Sequence, residues 1–190
     1  MLFCINGRPI IDYVYKALKK SKELKKIIVA TSLSNSDAKL VSYLKENNIH
    51  FYRGSLKNVA KRLHDCAFKN KSKYFVRISA DSPFIDYKII NRAIRIYKKN
   101  KKYDIITNVF PRSFPKGLSV ELIKTHIIKK NLKLMNHNDK EHVTSYFYRN
   151  SDKFNIYNFK TKKKFSQNLV IDTLSDLKRL KKKFNKLYGI

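Results

Sequence analysis

The chain has 190 residues, 43% of them hydrophobic, which is enough for one packed domain and too much for a disordered chain. It carries 43 Lys and Arg against 14 Asp and Glu, a net charge of +29, and two cysteines with no CxxC spacing. This excludes a disulfide framework and a zinc-binding cysteine pattern, and no apolar window reaches the roughly 18–20 residues of a membrane span.

The segment before Pro9 turns polar at Asn6, too early for a signal peptide, so a cytoplasmic, reduced protein is expected. The charge raises nucleic acid as a partner. Only nine of the basic residues are Arg, and the lysines are scattered through every segment. Base reading and bidentate phosphate contacts lean on Arg, and no nucleic-acid motif is present. The charge therefore reads first as a solvated surface, then as help for a polyanionic substrate such as a nucleoside triphosphate, and last as nucleic-acid binding.

Along the chain, apolar residues at Ile10, Ile11, Val14, Ala17 and Leu18 predict a helix over 9–20, with Pro9 in its first turn. A buried strand follows at 27–31. Ser36 or Asp37 can cap a helix running to about Asn47. A strand at 49–52, a helix at 56–69, a strand at 74–78, a helix at 86–99 and a strand at 103–107 continue the alternation. Pro111, Pro115 and Gly117 mark a loop. Beyond it the spacing predicts a strand at 118–121, helices at 122–131 and 139–150, strands at 154–159 and 168–171, and a last helix from Ser175. Strands alternating with helices predict an α/β domain with a mixed, mostly parallel sheet, helices on both faces, and antiparallel additions from the second half. Ligands in such sheets bind beyond the carboxyl ends of the strands.

Candidate residues emerge from that rule. Asp81 and Asp172 each come just after a strand, and two carboxylates on neighbouring strand ends can hold one Mg²⁺ together with waters and phosphate. The same residues also suit a turn and a helix start. Arg77, inside a buried strand, needs a carboxylate partner or a place in the crevice. Arg53, Gly54 and Ser55 come after another strand, where glycine lets a ligand approach the backbone. Asn108, Arg112 and Glu121 flank the Pro/Gly loop as substrate contacts. His142 could donate to a substrate, and a lone His is more often simply exposed. His137 and His142 are five apart, which is no zinc spacing on a helix.

Five segments, in order, resemble a known family. Phe51-Tyr52-Arg53-Gly54-Ser55 with Val59 resembles F-x-R-G-S-x-x-x-V. Val76-Arg77-Ile78-Ser79-Ala80-Asp81-Ser82-Pro83-Phe84-Ile85-Asp86 resembles V-R-x-(S/T)-x-D-x-P-x-I-D. The segment from Asn108 to Leu118 resembles N-V-x-P-R-x-F-P-x-G-L. The segment from Glu141 to Arg149 resembles E-H-V-T-x-Y-x-Y-R, and the one from Asp172 to Leu177 resembles D-T-x-x-D-L. These are segments of the cytidylyltransferase family that includes the spore coat polysaccharide biosynthesis protein SpsF.

The resemblance implies a Rossmann-like nucleotide-diphospho-sugar transferase fold, with residues 1–190 as a single domain. It implies Mg²⁺-dependent attack of a sugar or sugar-acid hydroxyl on the α-phosphate of CTP, for surface polysaccharide or glycan synthesis. Asp81 and Asp172 fall at the family's metal positions, and Arg53, Gly54, Ser55, Arg77, Asn108, Arg112, Glu121, His142 and Thr144 at substrate-contact positions. A homodimer through the second half is allowed by the same analogy.

Two departures stand out. Asn6-Gly7-Arg8-Pro9-Ile10 already matches the family segment that comes after the first strand and basic nucleotide loop, so both are expected to be missing. Ser119 stands where the family has Asp in G-L-D-V-E, removing a carboxylate that bears on the sugar or the metal. The alternatives left open are a catalytically impaired remnant or interaction module of the same fold, and a basic nucleic-acid binder.

Overall fold

A computed structural model of the chain describes residues 4–5, 7–163, 165 and 168–189. A short antiparallel hairpin of β1 (Cys4–Ile5) and β2 (Arg8–Pro9) leads into α1 (Ile10–Lys19), with Pro9 at the N-cap, where its missing N–H costs nothing. Then come β3 (Val29–Ser32), α2 (Ala38–Glu46), β4 (Phe51–Gly54), α3 (Val59–Lys69), β5 (Tyr74–Arg77), α4 (Tyr87–Lys99) and β6 (Ile105–Thr107). Side chains of Asn58 and Asp86 accept free N–H groups at the starts of α3 and α4. The second half supplies β7 (Glu121–Lys124), α5 (Thr125–Asn131), α6 (His137–His142), α7 (Ser145–Arg149), β8 (Ile156–Asn158) and α8 (Leu174–Tyr188).

The expected alternation of the first half is present, with shifted edges. The strands expected at 27–31 and 49–52 lie later, because they pair in register from Val29↔Phe51 to Ser32↔Gly54. The second half corrects the reading more. The strand expected at 118–121 runs over Glu121–Lys124, and Leu122 and Ile123, expected in a helix, point into opposite cores. A strand covered on both faces reads as an apolar run without alternation. The helix expected over 139–150 breaks at Val143, whose φ of 45° ends α6. Residues 168–171 form no strand. They are laid down by backbone bonds from Leu169 N–H to the Lys116 carbonyl and from Ile171 N–H to the Asp81 carbonyl.

The main sheet has the order β5-β7-β6-β8. β7 is antiparallel to both neighbours, and β8 is parallel to β6. β3 and β4 form a separate parallel pair. The sheet is mixed, and its antiparallel share exceeds what strand–helix alternation suggests because β7 runs against its neighbours on both edges.

Register sorts the side chains into rows. Val76, Leu122 and Ile106 align and face α1, α4 and α8, against Val14, Ile94 and Phe184. Phe75, Ile123 and Ile105 align on the other face, against Ala60, Ile128 and Phe147 from α3, α5 and α7. Each aliphatic residue so enclosed contributes about 1.5–3 kcal/mol. Among the described residues no helix is long and apolar enough to cross a membrane.

α1 and α3 span both sheets. Ile10 and Val14 of α1 join the core of the main sheet, while Ile11 packs with Leu40, Leu44 and Ile49 over β3 and β4. Ala60 of α3 lies under the main sheet, and Arg62, one half-turn on, lies against Gly54 of β4. Among the described residues no strand pairs with the second edge of β3 or of β5. Phe75 and Val76 are correspondingly only half-buried, whereas Leu122 and Ile123 are fully enclosed. Hydrogen exchange measured by mass spectrometry should therefore show faster exchange in β3 and β5 than in β6 and β7. Equal protection across all four would contradict the open edges.

Candidate functional site

The row beyond the apolar rows is polar. Register places Arg77, Glu121, Thr107 and Asn158 side by side at the carboxyl ends of β5, β6 and β8. Glu121 is 3% exposed, so its charge must be met inside the protein. Arg77 Nη1 donates to Oε2 at 2.5 Å, and the hydroxyls of Thr144 and Tyr148 each donate to Oε1 at 2.7 Å. Tyr148 has one proton and gives it to Glu121, so it accepts from Thr107 Oγ1 at 2.9 Å, which in turn accepts Val109 N–H at 3.2 Å.

Burial, and then the charge of Glu121, push the Tyr148 hydroxyl far above its ordinary pKa. It therefore remains a donor at any working pH. Thr144 is aimed by the turn at Val143, where a positive φ is rare for a β-branched residue.

The structure thus brings together three expected site residues, Arg77, Glu121 and Thr144. Tyr148 joins them; it lies in the segment from Glu141 to Arg149, and only its spacing from Thr144 hinted at a shared face. The network is closed toward the core. Arg77, with 29% of its side chain exposed, is the member of the ion pair open to solvent.

Asp81 and Asp172 are also brought together. Asp81 lies four residues past β5, and Ser82 Oγ donates to its Oδ1 at 2.8 Å. Asp172 is delivered by the extended run 168–171 through the Ile171–Asp81 backbone bond. Loss of water first, then the charge of Asp81, that of Asp176, and a hydrogen bond to Asp81, hold the Asp172 carboxyl above its usual range. Asp172 is exposed. No third His, Cys, Asp or Glu joins the pair in a ligand cluster among the described residues. Two close carboxylates open to solvent fit a hard divalent cation that keeps waters and takes its other ligands from phosphate. They do not fit structural zinc.

The other expected residues take different places. Arg53 donates from Nε to the Ser32 carbonyl and from Nη2 to the Ser34 carbonyl, so its guanidinium sits at the carboxyl ends of β3 and β4. Arg62 joins it there, donating to the Ser55 carbonyl at 2.8 Å. Gly54 is explained by packing: a Cβ would lie 2.8 Å from Arg62 Cγ. Ser55 Oγ accepts Asn58 N–H in the turn into α3.

Asn108 is fully buried. Its Nδ2 donates to the Leu118 carbonyl and its Oδ1 accepts Val120 N–H, so both polar atoms are used to clamp the loop. Arg112 donates to Ser119 Oγ at 3.0 Å and lines an open cleft of about 470 Å³ with Phe114, Lys162 and Lys163. His142 is exposed, and its carbonyl accepts Thr144 N–H.

Gly117 sets the position of Asp172. Its φ is +92°, and a Cβ there would lie 2.6 Å from the carbonyl carbon of Leu169. Gly117→Ala should cost about 1–3 kcal/mol in chemical denaturation and weaken divalent-ion binding measured by calorimetry, because it pushes the run carrying Asp172 away from Asp81. Unchanged ion binding would separate the two.

For Asp172 the sign is that of a raised acid. Its contribution to stability is complete below the ordinary carboxylate pKa and is lost as pH rises through the raised value. Without divalent ions, Asp172→Asn should melt above the wild type near pH 7, with the gap closing below about pH 4. A gap independent of pH would contradict the pairing with Asp81.

A sequence profile of the cytidylyltransferase family matches residues 1–188. The chain is 29% identical over 182 residues to the uncharacterized protein MJ1063 of Methanocaldococcus jannaschii, covering 94% of this chain and 73% of that protein. It resembles a cytidylyltransferase structure from Leptospira borgpetersenii serovar Hardjo-bovis with a TM-score of 0.89 and 27% identity, covering 95% of this chain and 77% of that one. It shares its fold, at 12% identity and a TM-score of 0.76, with a CMP:2-keto-3-deoxy-manno-octonic acid synthetase solved with CTP, covering 98% of this chain and 91% of that one. The match along almost the whole chain makes this protein a member of the cytidylyltransferase family.

Proposed function

We propose that the chain is a cytoplasmic enzyme that transfers CMP from CTP to a hydroxyl of a sugar or sugar acid, releasing pyrophosphate. The observation that carries this reading is the Asp81–Asp172 pair just beyond β5, in a chain of the cytidylyltransferase family. The structural relative solved with CTP supports the donor, and its sugar-acid product supports the class of acceptor.

In the reaction the acceptor oxygen forms a bond to the α-phosphorus, the bond from that phosphorus to the bridging oxygen breaks, and the hydroxyl proton passes to solvent. A bound Mg²⁺ supplies charge neutralisation at the phosphates. Asp81 and Asp172 would hold that ion. Arg77, fixed by Glu121, keeps a cation at the carboxyl end of β5 whose position does not depend on substrate. Arg53 and Arg62, held by carbonyl oxygens, place two further guanidinium groups at the ends of β3 and β4, on the triphosphate side. Such a site works by alignment and charge.

The test is pyrophosphate release from CTP with a panel of sugar acids. Asp81→Asn and Asp172→Asn should each lower kcat/KM by roughly 100-fold or more. Full activity in either variant would overturn the metal-holding role.

One observation favours a second reading, a chain of the same fold impaired on its own. The second edges of β3 and β5 are unpaired among the described residues. Calorimetry with CTP and Mg²⁺ decides between the two: tight binding by this chain excludes the impaired form. A nucleic-acid role would show as steeply salt-dependent binding.

A further inference from the structure

Phe110 stands at the tip of a turn beyond β6, where Val109 and Arg112 bridge across. Its N–H donates to Asn158 Oδ1 at 3.2 Å, and Asn158 Nδ2 donates to the Pro111 carbonyl at 3.0 Å. Its ring lies parallel to that of Tyr148, with centroids 4.6 Å apart and 6° between planes. Tyr148 is itself pinned through its hydroxyl to Glu121 and Thr107. Yet Phe110 remains 36% exposed. Folding alone would gain by turning such a ring inward. With one face covered by Tyr148, the exposed surface belongs to the other face and the rim.

Its place in the fold says what that face meets. The turn leaves the carboxyl end of β6, which lies two strands, or about 10 Å, from β5, the strand that ends at Arg77 and leads to Asp81. One sugar ring joined through a hydroxyl to the α-phosphate spans that distance. Arg112, two residues on, has no carboxylate partner among the described residues.

We propose that Phe110 is the platform for the acceptor ring, receiving the C–H face of a pyranose, and that Tyr148 is the positioning residue that holds the platform in place. The proposal rests on the reading of the chain as a sugar cytidylyltransferase. The ring supplies apolar contact and orientation, and Arg112 suits an acidic acceptor.

Saturation-transfer NMR on the full chain, with 2-keto-3-deoxy-manno-octonic acid as probe, tests this without requiring turnover. Wild type should transfer to the ring hydrogens, Phe110→Ala should lose most of that signal, and Phe110→Tyr should keep it. Equal transfer in wild type and Phe110→Ala, or none in wild type, overturns the platform. Melting curves and unchanged binding of CTP with Mg²⁺ verify that the variants are folded.

With an active acceptor, Phe110→Ala should raise the acceptor KM about 10-fold and leave the CTP KM within about 2-fold. Tyr148→Phe, which keeps the stack and loses the hydroxyl, should raise the same KM by less; a loss in kcat alone would assign Tyr148 a different role. Absence of pyrophosphate release with any acceptor would defeat the functional reading and leave the NMR result to decide the platform.

Discussion

A buried carboxylate organises this protein. Glu121 begins β7 and is almost fully enclosed, so it must find a cation and proton donors or lose its charge. Its partners come from two separate places: Arg77 ends β5, while Thr144 and Tyr148 stand at the start of α7 and within it. Through Tyr148 the network reaches Thr107 at the end of β6. Removing one partner of such a pair costs about 3–5 kcal/mol, because the other is left buried and unpaired. The interaction therefore fixes the relative positions of strand ends that carry the candidate site.

The physical division of labour comes from exposure. The enclosed network sets geometry and leaves one guanidinium edge toward solvent. Asp81 and Asp172, the open pair, repel each other: loss of water first, and then the charge of Asp81, hold the Asp172 carboxyl above its usual range. That repulsion is a cost to the free protein, and a cation between the two carboxylates would relieve it. Gly117 and the Ile171–Asp81 backbone bond maintain the pair against it, since the run 168–171 can pass close only where no Cβ stands in the way.

Much of this was legible in the residues. The alternation of apolar segments gave the order of strands and helices through β6, because each reports a local period. Arg77 inside an apolar strand needed either a carboxylate partner or a place in the crevice, and Glu121 is its carboxylate. Asp81 and Asp172 were read from their positions after predicted strands, although the second of those predicted strands is an extended run held by two backbone bonds. The features that were not legible depended on distant pairing. Leu122 and Ile123 look helical in a short apolar window, and only the two antiparallel partners of β7 put them on opposite faces. Asn108 and Gly54 looked like ligand contacts, and their neighbours, Leu118, Val120 and Arg62, explain them as packing and clamping residues.

The sequence by itself determined the α/β class, the family resemblance and which ionisable residues stand near strand ends, since local period and short motifs are written in consecutive residues. The tertiary structure decided which of those residues meet. Strand register alone aligns Arg77, Glu121, Thr107 and Asn158 in one row, and a shift of one residue would send every one of them to the other face. That register is set by the burial of two apolar rows from strands far apart in the chain, a constraint that no single segment contains.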